Sequence, residues 1–126
     1  MDIETLRELG GFVSPTPVEK EITWTPRNED GTPQEPVTFT VRIKKLSSGA
    51  SERLWVEDEK HRDRSSQAAL LSESLMLGER FITYEEAFQL EPTLSLRFAI
   101  AVNEVNGWGD AAAKNSQPPT SSGTTS

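Results

Sequence analysis

The sequence predicts an α+β fold: an antiparallel sheet built from hairpins, two or three short helices packed on it, and a disordered C-terminal tail. Three observations predict it. Val37, Phe39, Val41 and Ile43 alternate with Thr38, Thr40, Arg42 and Lys44, which gives a strand one buried and one wet side. Thr83-Tyr84-Glu85-Glu86 forms a capping box, and a helical apolar stripe between Pro92 and Gly107 follows it. From Asp110 onward no large apolar side chain remains, so that stretch cannot bury enough surface to offset its ordering entropy. The expected division is one domain over residues 1–109 and a tail over 110–126.

Taken in order, residues 2–9 read as a short helix, with Ile3, Leu6 and Leu9 at three-residue spacing and Gly10-Gly11 ending the run. Ser14-Pro15-Thr16-Pro17 must be extended. Residues 19–25 read as a strand with Ile22 and Trp24 on one face. Residues 37–44 are its expected antiparallel partner, across a long loop whose Asp30-Gly31 favours a turn. Ser47 to Ser51 reads as a second loop, and Leu54-Trp55-Val56 as a short strand. The charged run from Glu57 to Arg64 reads as solvated loop or helix surface.

Residues 67–77 fit two patterns. Ala68, Leu71 and Leu75 fit a helix, while Ala69, Leu71, Leu75 and Leu77 fit a strand. The Gly78-Glu79 pair ahead of Arg80 is a two-residue hairpin signal of type II′, which favours strand, with helix for the first half as the rival. A short helix is expected from Tyr84 to about Leu90, with Ala87, Phe88 and Leu90 facing inward. Pro92 suits the first turn of the next helix, and Gly107 its left-handed end. In that last helix Leu94, Phe98, Ala101, Val102 and Val105 form one apolar stripe. Leu96 and Ile100 form a second ridge on another side. One stripe serves the domain's own core, so the second needs another cover, from the same chain or from a partner.

Composition narrows the function. The net charge is −7. Eight acids and three bases leave −5 over residues 1–35, whereas Arg42, Lys44 and Lys45 give +3 over residues 36–46. An acidic surface repels phosphate backbones, so no nucleic-acid partner is expected. No cysteine is present, which excludes disulfides, thiolate zinc sites and thiol catalysis. The start of the chain is acidic without an apolar core, and the longest apolar run is far short of a membrane span. A soluble, cytoplasmic protein without a membrane partner is expected.

Catalytic chemistry is hard to assemble. His61 is the one histidine, and the surrounding Asp58, Glu59 and Asp63 match no metal-ligand spacing, with Lys60, Arg62 and Arg64 opposing a cation. Glu85 and Glu86 are adjacent on a helix and point about 100° apart, unable to flank one substrate bond. Neither Gly10-Gly11 nor Gly107-Trp108-Gly109 fits a phosphate-binding loop. No catalytic, cofactor or metal residue is assigned, and no cofactor is expected. Trp24 and Trp55 read as core or half-buried strand residues. Trp108 reads either as a hydrophobic contact back onto Val102 or as an exposed anchor. Lysine and arginine at 42, 44 and 45 read as protection of an open sheet edge. The candidate protein-binding residues are Leu96, Ile100 and Trp108.

From Leu70 to Gly107 the chain resembles the tail assembly chaperones of long non-contractile-tailed, lambda-like bacteriophages. Gly78-Glu79-Arg80-Phe81-Ile82-Thr83-Tyr84-Glu85-Glu86-Ala87, then Leu90, then Ile100-Ala101-Val102-Asn103-Glu104-Val105-Asn106-Gly107 carry the resemblance. It implies a non-catalytic assembly factor that binds the tape measure protein and helps recruit tail tube subunits in the host cytoplasm. It also implies absence from the mature virion and a longer form made by ribosomal frameshifting within or just after Ala111–Ser126, and self-association fits the same picture. The competing expectations are a structural head–tail joining or minor tail protein of the virion, and an enzyme with an unrecognised site around His61.

Overall fold

Backbone pairing between two seven-residue strands sets the frame. In the computed structural model, which describes residues 1–108, β1 (Val18–Trp24) and β2 (Val37–Ile43) run antiparallel, with Val18 opposite Ile43 and Trp24 opposite Val37. That register puts Ile22, Phe39, Val41 and Ile43 on the core face. On the wet face the Thr23 and Thr38 hydroxyls meet at 2.9 Å, and Glu19 stands opposite Arg42, an opposite-charge cross-strand pair. The sheet continues through β3 (Leu75–Leu77) and β4 (Arg80–Phe81) in the order β1-β2-β3-β4. Leu77 pairs with Arg80 across the Gly78-Glu79 loop, and Gly78 carries the positive φ of 68° that such turns require.

Among the described residues there are five helices: α1 (Ile3–Glu8), α2 (Ser48–Lys60), α3 (Ser66–Ser74), α4 (Tyr84–Phe88) and α5 (Pro92–Asn106). Thr83 caps α4 through the reciprocal capping box with Glu86. Glu91 caps α5, Pro92 opens it, and Gly107 closes it in the left-handed conformation. The stripe read from the sequence is the one that packs. Phe98, Ala101 and Val102 are buried with Ile22, Val41, Ile43, Leu71 and Leu75, while Leu94 and Val105 flank them. Phe98 meets Phe39 edge to face at 6.1 Å, joining α5 to β2 with favourable ring geometry.

Several expectations give way. Residues 66–74 are helical and only Leu75–Leu77 is strand, so the rival reading of residues 67–77 holds for its first part. Ser65 caps that helix by accepting from the Ala68 amide at 3.0 Å, and tertiary packing of Ala68 and Leu71 into the core settles the ambiguity. The expected loop at Ser47–Ser51 and strand at Leu54-Trp55-Val56 are instead the thirteen-residue α2. Ser47 caps it from the Ala50 amide at 3.2 Å, and the charged run continues it because Glu, Lys and Arg are good helix formers. Trp55 is 69% exposed rather than core. Phe88 also faces outward, stacked on Tyr84 at 6.0 Å, since α4 ends after one and a half turns and turns only Ala87 inward. β2 is an inner strand, so edge protection does not explain Arg42, which pairs opposite Met76 and donates to the Gly78 carbonyl at 2.7 Å. The tail expected over 110–126 lies outside the described residues.

Candidate protein-binding interface

The end of the sheet holding Val18 and Ile43 is closed by polar bonds. Ser74, fully buried, donates its hydroxyl to the Lys44 carbonyl at 2.7 Å, and the Lys44 amide donates to the Ser74 carbonyl at 2.8 Å. Asn106 accepts from the Leu46 amide at 2.8 Å and donates to the Val102 carbonyl at 2.9 Å. The last turn of α5 is thereby fixed to the segment leading into α2. At the opposite end of α5, the Trp24 indole donates to Thr93 Oγ1 at 3.0 Å. The Thr93 hydroxyl in turn donates to Glu91, the largest cause holding the Glu91 carboxyl below its ordinary value. Both ends of α5 are therefore tied down, and its orientation on β1 is set.

That orientation decides which side of α5 meets water. Leu96 is 55% and Ile100 45% exposed, one turn apart on the face turned away from the core. Ile100 borders a groove between α5 and β1, with Arg97, Ala101 and Glu104 on the helix side and Lys20 to Thr23 on the strand side. Lys20 spans the groove to Glu104 at 3.1 Å. Arg97 also lines the continuation of the groove toward Trp24 and Thr93. The result is an apolar ridge edged by charge.

Trp108 lies elsewhere. Its amide donates to the Asn103 carbonyl at 2.9 Å and the Gly107 amide to the Glu104 carbonyl at 3.1 Å, the two bonds of a Schellman ending. Its ring, 37% exposed, lines a cleft with Leu54, Trp55 and Leu70 between α2 and α3. The helix runs on from Leu96 to Asn106 before Trp108 is reached, roughly 15 Å along the axis. Leu96 and Ile100 thus form one surface, and Trp108 belongs with a second that the sequence reading missed. No apolar periodicity marks it, because Ser51 and Asp58, on the same side of α2 as Leu54 and Trp55, are polar.

His61 sits at the end of α2 with Nε2 at 3.5 Å from Glu57 Oε1. Among the described residues no group of three or more His, Asp or Glu side chains is arranged to hold a metal ion. No helix among them is long and apolar enough to cross a membrane.

The family model described as phage tail assembly chaperone, TAC, matches residues 4–106. Neither a curated protein nor a solved structure matches the chain. The match runs from the first turn of α1 to the last residue of α5 and takes in Leu96 and Ile100, while Trp108 lies just past it.

Proposed function

This chain belongs to the phage tail assembly chaperone family, and from that premise we propose that it binds the tape measure protein and keeps it soluble while tail tube subunits are recruited around it. The observation that carries the reading is the Leu96–Ile100 ridge. α5 already spends one apolar stripe on its own core, yet presents a second to solvent. A long helical protein with apolar positions along its length needs a removable cover until the tube closes over it. An exposed helix face with two aliphatic anchors and a charged border supplies reversible packing of that kind. The net charge of −7 keeps such a coat from condensing on itself.

On this reading the chain works by binding, acts in the host cytoplasm and leaves before the virion matures. A longer frameshifted form would carry the recruitment of tube subunits, with Ala111–Ser126 as the junction. Co-expression tests the first part. The chain should hold the tape measure protein of the same phage in the soluble fraction and co-purify with it. Mass spectrometry of infected cells and of purified particles tests the rest. It should find the short and a longer form in the cells and neither in the particles, whereas a joining or minor tail protein would be present in the particles.

A further inference from the structure

Asn106 and Gly107 form the one Asn-Gly pair in the sequence. Asparagine is a thermolabile residue, and it deamidates through the backbone nitrogen that follows it, which attacks the side-chain amide carbon. Glycine in the next position has no side chain to shield that nitrogen or to hinder the rotation the attack needs. Here the pair stands at the closure of α5, and the groups that would react are engaged. Asn106 Oδ1 accepts from the Leu46 amide at 2.8 Å, and Nδ2 donates to the Val102 carbonyl at 2.9 Å. The Gly107 amide, whose nitrogen is the nucleophile, donates to the Glu104 carbonyl at 3.1 Å.

Those three bonds decide when the reaction can happen. The Gly107 nitrogen reaches the Asn106 side-chain carbon only after its own bond to Glu104 is broken and the Asn106 amide has turned away from Leu46 and Val102. The last turn of α5 must therefore open first, and such local openings have free energies of their own, up to that of global unfolding. Attack then closes a five-membered succinimide. The new nitrogen–carbon bond forms, the Gly107 nitrogen gives up its proton, and the side-chain amide leaves as ammonia. Water, the one other reactant, opens the ring at either carbonyl. The product is aspartate or its isomer with the main chain routed through the side chain.

Neither product closes the turn again as before. An aspartate at this position still accepts from Leu46, but its second oxygen faces the Val102 carbonyl where a donor stood, two acceptors with no proton between them. It also puts a negative charge at the carboxyl end of a helix, where the macrodipole is already negative. The isomer further lengthens the main chain at the helix end. Leu46 precedes the Ser47 cap of α2, and Trp108 follows Gly107 in the Schellman ending, so the joint at stake is the one that fixes the end of α5 to the start of α2. We propose that Asn106 is a deamidation site guarded by the fold, and that its conversion is a one-way release of this joint.

Mass spectrometry of the proteolytic fragment carrying Asn106, taken from full chain incubated in mildly alkaline buffer, reads the reaction directly. The fragment should deamidate at least about tenfold more slowly in the folded chain than in urea, the ratio being set by the opening equilibrium. Ser74→Ala frees the Lys44 carbonyl, two residues before Leu46, and should speed the reaction in the folded chain while leaving the rate in urea unchanged. Asn106→Asp should lower the melting temperature by at least about 4 °C and speed amide exchange at Leu46 and Trp108. Asn103→Asp adds the same charge to the same helix without removing the Val102 contact, and should change both far less. Equal rates in the folded chain and in urea overturn the guarding, and a fragment that does not deamidate even in urea removes the site. An Asn106→Asp chain that melts and exchanges like the unmodified one overturns the release. If that variant does not fold, amide exchange at Leu46 in unmodified chain already deamidated at Asn106 decides the same point. None of these measurements involves the tape measure protein, so the ridge reading stands or falls separately.

Discussion

Arg80 holds Glu86 through both carboxylate oxygens, at 2.7 and 2.9 Å, while Glu86 also accepts from the Thr83 amide at 2.9 Å. One side chain thus closes the β4 strand end onto the capping box of α4. The Arg80 contact is the largest cause, with the Thr83 amide second, of a Glu86 carboxyl held down to about 2.

A titration of Glu86 by NMR should find it deprotonated well below the ordinary glutamate range, and Arg80→Met should return it toward that range. The folded-state value lies below the unfolded one, so the stabilisation is complete above pH 4.5 and is lost as the pH falls toward the folded value. Glu86→Gln should therefore lower the melting temperature at pH 7 and narrow the gap to the unmodified chain as the pH falls from 4.5 toward 2. Both groups are exposed, so salt should weaken the effect.

The two apolar ridges of α5 should separate cleanly in chemical denaturation. Phe98→Ala empties the contact with Phe39 in the core and should cost about 3–5 kcal/mol. Leu96→Ala removes an exposed side chain and should change stability by less than about 0.5 kcal/mol.

The polar closure at the far end of α5 should be costly to break. Ser74→Ala deprives the Lys44 carbonyl of its buried donor, and Asn106→Ala leaves the Leu46 amide without an acceptor. Each should cost about 1–3 kcal/mol in urea denaturation. The Asn106 change should also speed amide exchange at Leu46.

How much of this was legible in the sequence depended on whether local signals agreed with burial. The period-two alternation of Val37 to Ile43 and the Pro92-to-Gly107 stripe state element type and buried face together, and both hold, with Val37 exposed at the strand's start. The capping box at Thr83 fixes where α4 begins but not its buried face, since Phe88 turns outward. α2 does not announce itself. Gly49 sits in its first turn, Leu54-Trp55-Val56 favours a strand by propensity, and no residue of the helix is buried, so no apolar stripe marks it. Ser66–Ser74 became a helix through packing on α4 and α5, information that lies outside any local window. The Leu96–Ile100 ridge was visible as an excess of apolar faces. The Trp55–Trp108 cleft was not, because it exists only once α2 is helical and the Schellman ending of α5 turns Trp108 toward it.

The Leu96–Ile100 ridge, proposed to cover the tape measure protein, is tested most directly by the affinity of the full chain for that protein. Leu96→Asp/Ile100→Asp should weaken binding by at least a hundredfold, about 2.7 kcal/mol, with the melting temperature unchanged, whereas Gln34→Asp in the β1–β2 loop should leave it as it was. Tight binding that survives the double substitution in a folded chain would contradict the claim.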